Sequence, residues 1–176
     1  MGTPNFATAS LQALVENNYN IVGVITAPDK HAGRGQKLRS SSVKEYAVSQ
    51  NITVLQPTNL KNESFLAELK SLEAEIQVVV AFRMLPEEVW NMPKHGTFTL
   101  HASLLPQYRG AAPINWAVIN GDTVSGLTTF FINNHIDTGN IIFQEKTKIE
   151  AEDNAGVLHD KLMRIGSQLV CKTIDA

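Results

Sequence analysis

Ile76-Gln77-Val78-Val79-Val80-Ala81-Phe82 decides the fold. The run is apolar at nearly every position, with β-branched Ile76, Val78, Val79 and Val80, so it lacks the alternation of a half-solvated strand. A strand of this kind is covered on both faces, the condition of a central parallel strand in an α/β domain. Shorter strand-like runs flank it: Ile21 to Thr26 and Ile52 to Leu55 before it, Gly96 to Leu100 after it. Helical spacing fills the gaps. Phe6, Ala9, Leu11, Ala13 and Leu14 predict a helix from about Phe6 to Asn17. Ser42-Val43-Lys44-Glu45 reads as a capping box opening a helix to about Gln50. Asn62 caps a helix carrying Phe65, Leu66, Leu69 and Leu72, and Pro86 starts a short one through Val89 and Trp90. Pro113 stands at the first position of a helix over Ile114 to Ile119, with Gly121 past its end and Trp116 read as packing. Gly126 to Asn133 and Asn140 to Lys148 predict a hairpin. Asn154 to about Thr173 predicts a last helix with an apolar face of Val157, Leu158, Leu162, Ile165, Leu169 and Val170. The alternation predicts an α/β, Rossmann-like fold: a mostly parallel sheet flanked by helices, closed by a late antiparallel hairpin. Such domains open on a strand before the first glycine turn. Here Met1-Gly2-Thr3-Pro4-Asn5 is itself a turn, so the first central strand is expected to be missing.

The 176 residues suit one domain with its own core. Apolar content of 43% and charged content of 18% are those of a globular chain, and no apolar run approaches the ~18 residues of a membrane span. With 15 basic against 17 acidic residues the net charge is -2, which excludes a global polyanion-binding field and leaves only a local patch. Cys171 stands alone, so no internal disulfide forms, and its helical context reads as core. With no secretory signal, the chain is expected in the cytoplasm.

The chemistry-bearing residues gather after the central strand. His101 ends a short apolar run and is followed by Ala102-Ser103-Leu104-Leu105-Pro106 and by Arg109-Gly110-Ala111-Ala112-Pro113. Asp137 lies in Asn134-His135-Ile136-Asp137-Thr138-Gly139, inside the predicted hairpin. Either residue alone reads first as a structural His or a turn Asp; a His and an Asp at strand ends together suit proton transfer. Arg83 emerges at the carboxyl end of the central strand, where ligands sit in such folds. Pro28 to Ser42 has no apolar period and carries Lys30, Arg34, Lys37 and Arg39, a candidate phosphate contact on a long loop. No G-x-G-x-x-G supports a dinucleotide, no His or Cys spacing supports a metal, and Ser103 lacks the strained G-x-S-x-G turn of a nucleophile.

His101-Ala-Ser-Leu-Leu-Pro, Arg109-Gly-Ala-Ala-Pro-Ile, Asn120-Gly-Asp and Asp137-Thr-Gly resemble the folate-dependent formyltransferases. Met1-Gly-Thr-Pro, Pro28-Asp-Lys, Gly33-Arg-Gly and the Ser42-Val-Lys run place the likeness in the methionyl-tRNA branch, over essentially the whole chain as its amino-terminal domain. Glycinamide ribonucleotide formyltransferases lack the basic loop, and the sugar-nucleotide branch typically has Asp-Ala-Gly where Asp137-Thr-Gly stands here. The resemblance implies transfer of a formyl group from 10-formyltetrahydrofolate to the α-amine of methionyl-initiator tRNA, through a tetrahedral intermediate and without a metal. It implies His101 as the central acid/base or electrostatic group, with Asp137 orienting it. It implies that Ser103, Leu104, Leu105 and Pro106, with Phe82, Arg83, Met84 and Leu85, line the folate site. Lys30, Arg34, Lys37 and Arg39 then face tRNA, and Phe6 is a candidate for the methionyl pocket. A cytoplasmic monomer is expected.

The chain departs from that pattern at Thr99-Leu100-His101, where the family has Asn-x-His. The Asn amide donates to the developing oxyanion; Thr offers one hydroxyl on a shorter, β-branched stem. The family's smaller carboxyl-terminal β-barrel has no counterpart in these residues, so the chain reads as a catalytic domain truncated at both ends. Impaired turnover is expected, and the alternatives are a non-catalytic remnant of the same fold or a sugar-nucleotide formyltransferase.

Overall fold

The computed structural model describes residues 1–32 and 37–176, with the backbone alone for 31, 32 and 37. The chain divides into two compact units, Met1–Thr97 and Phe98–Ala176.

The first unit holds α1 (Asn5–Glu16), β1 (Val24–Ile25), β2 (Lys30–Ala32), β3 (Lys37–Arg39), α2 (Ser42–Ser49), β4 (Val54–Leu55), α3 (Glu63–Ser71), β5 (Gln77–Val80) and α4 (Glu87–Trp90). β1 and β4 pair in parallel, Val24 with Val54 and Ile25 with Leu55. Met1 and Gly2 lie between β1 and β5: the Gly2 N–H donates to Ile25 O and the Val80 N–H to Met1 O. Gly2 cannot carry a side chain there, because a Cβ falls 2.3 Å from Ala7 Cβ and 2.7 Å from Val80 O. The strands are shorter than the apolar runs suggest. After Val80, Ala81 takes φ 47°, a left-handed conformation that ends the extended run. Of the Ile21–Thr26 run, Val24 and Ile25 pair with β4, and the Thr26 N–H donates to Leu55 O.

Two further readings of this half are corrected. The basic stretch is not structureless: β2 and β3 pair antiparallel, with Lys30 opposite Arg39. The cap of α2 is Ser41, not Ser42. Ser41 Oγ accepts from the Lys44 N–H at 3.1 Å, while Ser42 is already helical and its hydroxyl meets Thr8 Oγ1 at 2.9 Å. Asn62 caps α3 as expected, accepting from the N–H groups of Ser64 and Phe65.

β6 (Thr97–His101) starts at the last residue of the first unit and carries the chain into the second, which continues with α5 (Pro113–Ile119), β7 (Val124–Phe131), β8 (Ile141–Lys148) and α6 (Ala155–Asp175). β6, β7 and β8 form antiparallel ladders, so the predicted hairpin is present. A register shift between Thr129 and Phe130 breaks the two-residue alternation of a regular strand along β8, leaving Ile142 and Phe143 both half-buried and Ile141 exposed. Pro113 starts α5 as expected, but Trp116 is 51% exposed, so it does not serve as core packing. On α6, Val157 faces solvent. The buried face instead runs through Leu158, Leu162, Gly166, Leu169, Val170 and Thr173. Cys171 is only half-buried, and burial pushes its thiol pKa up.

Phe98, Leu127, Leu158 and Leu162 are fully enclosed at 0% exposure and form the centre of this unit. Leu162→Ala is expected to destabilise the protein by about 2–5 kcal/mol, since the removed atoms leave a cavity that rigid neighbours cannot fill. Urea denaturation reads this as a lower midpoint at unchanged slope.

Candidate active site

The site is built on β6 and the segment that leaves it. His101 is the last residue of β6 and pairs across the ladder with Thr128. Thr99, two residues earlier, shares its face of the strand and pairs with Phe130. The His101 ring lies edge-on to Phe130, with centroids 6.5 Å apart. Both its nitrogens have partners. Nε2 is 2.8 Å from the carbonyl oxygen of Tyr108, and Nδ1 is 3.7 Å from Asp137 Oδ2. A carbonyl only accepts, so in the neutral ring Nε2 carries the hydrogen and Nδ1 turns its lone pair toward Asp137.

Asp137 is held to face the ring. Its Oδ2 accepts from the Gly110 N–H at 2.7 Å, and its carbonyl accepts from Arg109 Nε at 2.8 Å. The backbone around this contact is twisted into left-handed geometry: Tyr108 at φ 54°, Gly110 at 87°, Ala112 at 55° and Asp137 at 51°. Non-glycine residues in that region cost about 1–3 kcal/mol each and persist where their surroundings over-determine them. Tyr108 is tied at its far end too. Its hydroxyl donates to Asp122 Oδ2 at 2.6 Å and accepts from Asn120 Nδ2 at 2.9 Å. The bond to Asp122 holds the phenol proton beyond its usual range. Gly139 closes the Asp137 loop against β7, where a Cβ falls 1.6 Å from Phe131 O. Gly139→Ala must therefore displace the loop, and the expected result is loss of the His101–Asp137 contact with the core intact. The His101 and Asp137 resonances in NMR spectra check this against an unchanged amide dispersion elsewhere.

The turn after His101 is packed inward. Ser103 is 1% exposed and its hydroxyl donates to Gln107 O at 2.6 Å, so it is no free nucleophile. Leu105 is buried, Leu104 half-buried and Pro106 exposed, with the Leu105–Pro106 peptide cis. Asp137 and His101, the pair singled out from sequence, are brought together. Tyr108, Gly110, Thr128 and Gln144 were not singled out. Tyr108 and Gly110 act through backbone atoms that no side-chain pattern signals. The other two depend on strand register, which follows only once β7 and β8 are paired.

The remaining candidates lie in the first unit. Phe82 is half-buried, Met84 exposed and Leu85 buried. Arg83 sits over the Phe82 ring and donates to the carbonyl oxygens of Thr58 and Pro57. Phe6 is buried on α1. Lys30 and Arg39 are exposed on the β2–β3 hairpin; Lys37 belongs to β3, and Arg34 lies outside the described residues. Among the described residues no cluster of His, Cys, Asp and Glu is arranged for a metal, and no helix is long and apolar enough to cross a membrane.

A family model described as formyl transferase matches residues 1–174. The chain belongs to the formyl transferase family. It is 64% identical over 174 residues to the methionyl-tRNA formyltransferase of Flavobacterium johnsoniae, covering 99% of this chain and 55% of that protein. It is 62% identical over 176 residues to the methionyl-tRNA formyltransferase of Bacteroides thetaiotaomicron, covering 100% of this chain and 55% of that protein. The chain thus spans about half the length of the curated relatives it matches. Among solved structures, a phosphoribosylglycinamide formyltransferase of Streptococcus pneumoniae shares the fold at a TM-score of 0.83 and 16% identity, over 99% of this chain and 94% of that one. An N-formyltransferase of Helicobacter canadensis, solved with folinic acid and dTDP-3-aminofucose, gives a TM-score of 0.72 at 29% identity, over 99% of this chain and 61% of that one. The Rossmann-like α/β expectation is borne out by this family membership.

Proposed function

We propose that this chain carries the chemical step of formyl transfer from 10-formyltetrahydrofolate to the α-amine of methionyl-initiator tRNA. The observation that carries the reading is identity above 60%, across the whole chain, to methionyl-tRNA formyltransferases. The His101–Asp137 geometry supports it. Formyl transfer requires a group that takes the amine proton and a donor to the formyl oxygen as negative charge develops on it. His101 Nδ1, facing the Asp137 carboxylate, is suited to accept and hold a proton as imidazolium. The Nε2–Tyr108 bond fixes the tautomer. Thr99, on the same face of β6 as His101, is the candidate oxyanion donor. The formyl donor enters as a co-substrate, for which the Ser103–Pro106 turn supplies an apolar wall.

The β2–β3 hairpin is assigned to the tRNA. Like charges directly opposite across a ladder are unfavourable, and a bridging phosphate relieves that repulsion between Lys30 and Arg39. Reversing both, Lys30→Glu with Arg39→Glu, is expected to weaken tRNA association and to flatten its salt dependence by about two phosphate contacts. KM for methionyl-tRNA measured from 50 to 200 mM salt checks this, with KM for the folate unchanged.

The reading carries a cytoplasmic, monomeric protein; size-exclusion chromatography tests the second point. The deciding experiment offers methionyl-initiator tRNA, glycinamide ribonucleotide and a dTDP-amino sugar as acceptors with 10-formyltetrahydrofolate. Formyl-methionyl-tRNA as the product supports the assignment, and transfer to either small acceptor in preference overturns it. The sugar-nucleotide reading is disfavoured by the names of the relatives above 60% identity.

A further inference from the structure

His101, Thr128 and Gln144 form one row across three strands: His101 pairs with Thr128 between β6 and β7, and Thr128 with Gln144 between β7 and β8. The two partners of His101 in that row grip the turn His101 leads into. Gln144 Nε2 donates to the carbonyl oxygen of Leu105 at 2.9 Å and to Thr128 Oγ1 at 3.0 Å. Thr128, at 0% exposure, donates its own hydroxyl hydrogen to Ser103 O at 2.7 Å and accepts from the Leu105 N–H at 3.1 Å. A hydroxyl has one hydrogen and two lone pairs, and all three are in use. Both peptide groups of Leu105, together with the carbonyl of Ser103, are thus fixed by two side chains from elsewhere in the sheet.

This pattern has a feature that packing alone does not call for. Gln144 is an exposed residue near the middle of β8, yet its amide hydrogens point back to an inner turn. Among the described residues, the donor to the Leu105 carbonyl comes from the far strand.

We propose that Gln144, acting with Thr128, is a positioning residue for the formyl donor: together they hold the Ser103–Pro106 turn in the shape that receives the folate. The inference rests on the function proposed above and deepens it. What matters at position 144 is donor capacity, not shape. Gln144→Glu has the same outline and no hydrogen to give, and it sets a carboxylate against the Leu105 carbonyl. Gln144→Lys keeps the reach and restores a donor.

The test is the affinity of the intact chain for 5-formyltetrahydrofolate, a stable formyl folate, read by titration calorimetry. Gln144→Glu is expected to bind about tenfold or more weaker than the parent, and Gln144→Lys within about threefold of it. Thr128→Val, which orphans the Leu105 N–H and the Ser103 carbonyl, is expected to follow Glu, and Thr128→Ser to follow the parent. In turnover, KM for the folate moves and KM for methionyl-tRNA does not. Parent-like binding by Gln144→Glu or by Thr128→Val overturns the inference while leaving the proposed function standing. So does Gln144→Lys binding as weakly as Gln144→Glu. No binding of the folate by the parent chain removes the donor reading of the turn, and the inference falls with it.

Discussion

His101→Ala is expected to lower formyl transfer by about a hundred- to ten-thousand-fold, the range for loss of a positioned acid/base group. The substitution removes the ring that spans the Tyr108 carbonyl and the Asp137 carboxylate, and with it the group proposed to take the amine proton. Asp137→Asn is expected to be nearly as damaging, for a different reason. Asparagine tolerates the left-handed backbone at this position, and its carbonyl oxygen can still accept from the Gly110 N–H. That oxygen is also the atom facing Nδ1, so the variant sets a neutral amide where the carboxylate stood, opposite the proton the ring is proposed to take. The two side chains act as one unit, so the double variant should be little slower than either single one. Single-turnover kinetics with saturating folate checks all three. A His101→Ala protein within about tenfold of the parent would remove His101 from the chemistry.

Thr99→Asn is expected to move activity the other way, raising the rate by about a hundred- to a thousand-fold, the effect of one oxyanion donor. The position suits the role because Thr99 shares a strand face with His101. An Asn amide extends further from the backbone than a Thr hydroxyl and offers two hydrogens. Stability should move against activity: Asn is a poorer strand residue than Thr by up to about 1 kcal/mol, so the faster variant melts slightly lower. Equal turnover in the two proteins would show that the oxyanion is served by another group.

Much of this site is legible before any coordinates. His101 and Asp137 stand out because a proton-transfer pair needs those residue types at strand ends, and Asn62, Pro86 and Pro113 announce helix starts by their own chemistry. What escapes the sequence has a common physical origin. The β2–β3 pairing hides in a polar stretch because ladder bonds are made by backbone, not by apolar side chains. The cap of α2 falls one residue early because three consecutive serines, Ser40, Ser41 and Ser42, offer the same hydroxyl, and only geometry chooses among them. Trp116 looks like core by composition but stands on the outer side of a seven-residue helix. The row from His101 through Thr128 to Gln144 is invisible because register is a relation between strands, and a shift of one residue would set every one of these side chains on the other face.

That row has a consequence for the order of synthesis. A chain leaving the ribosome exposes His101 well before β8 exists, and at that stage the turn after it lacks its outer donor. Only when Gln144 emerges and β8 docks are the carbonyl of Leu105 and the hydroxyl of Thr128 both satisfied. The turn proposed to receive the formyl donor is therefore set only once β8 is in place, and a nascent chain that ends before Gln144 carries His101 beside an unfixed turn.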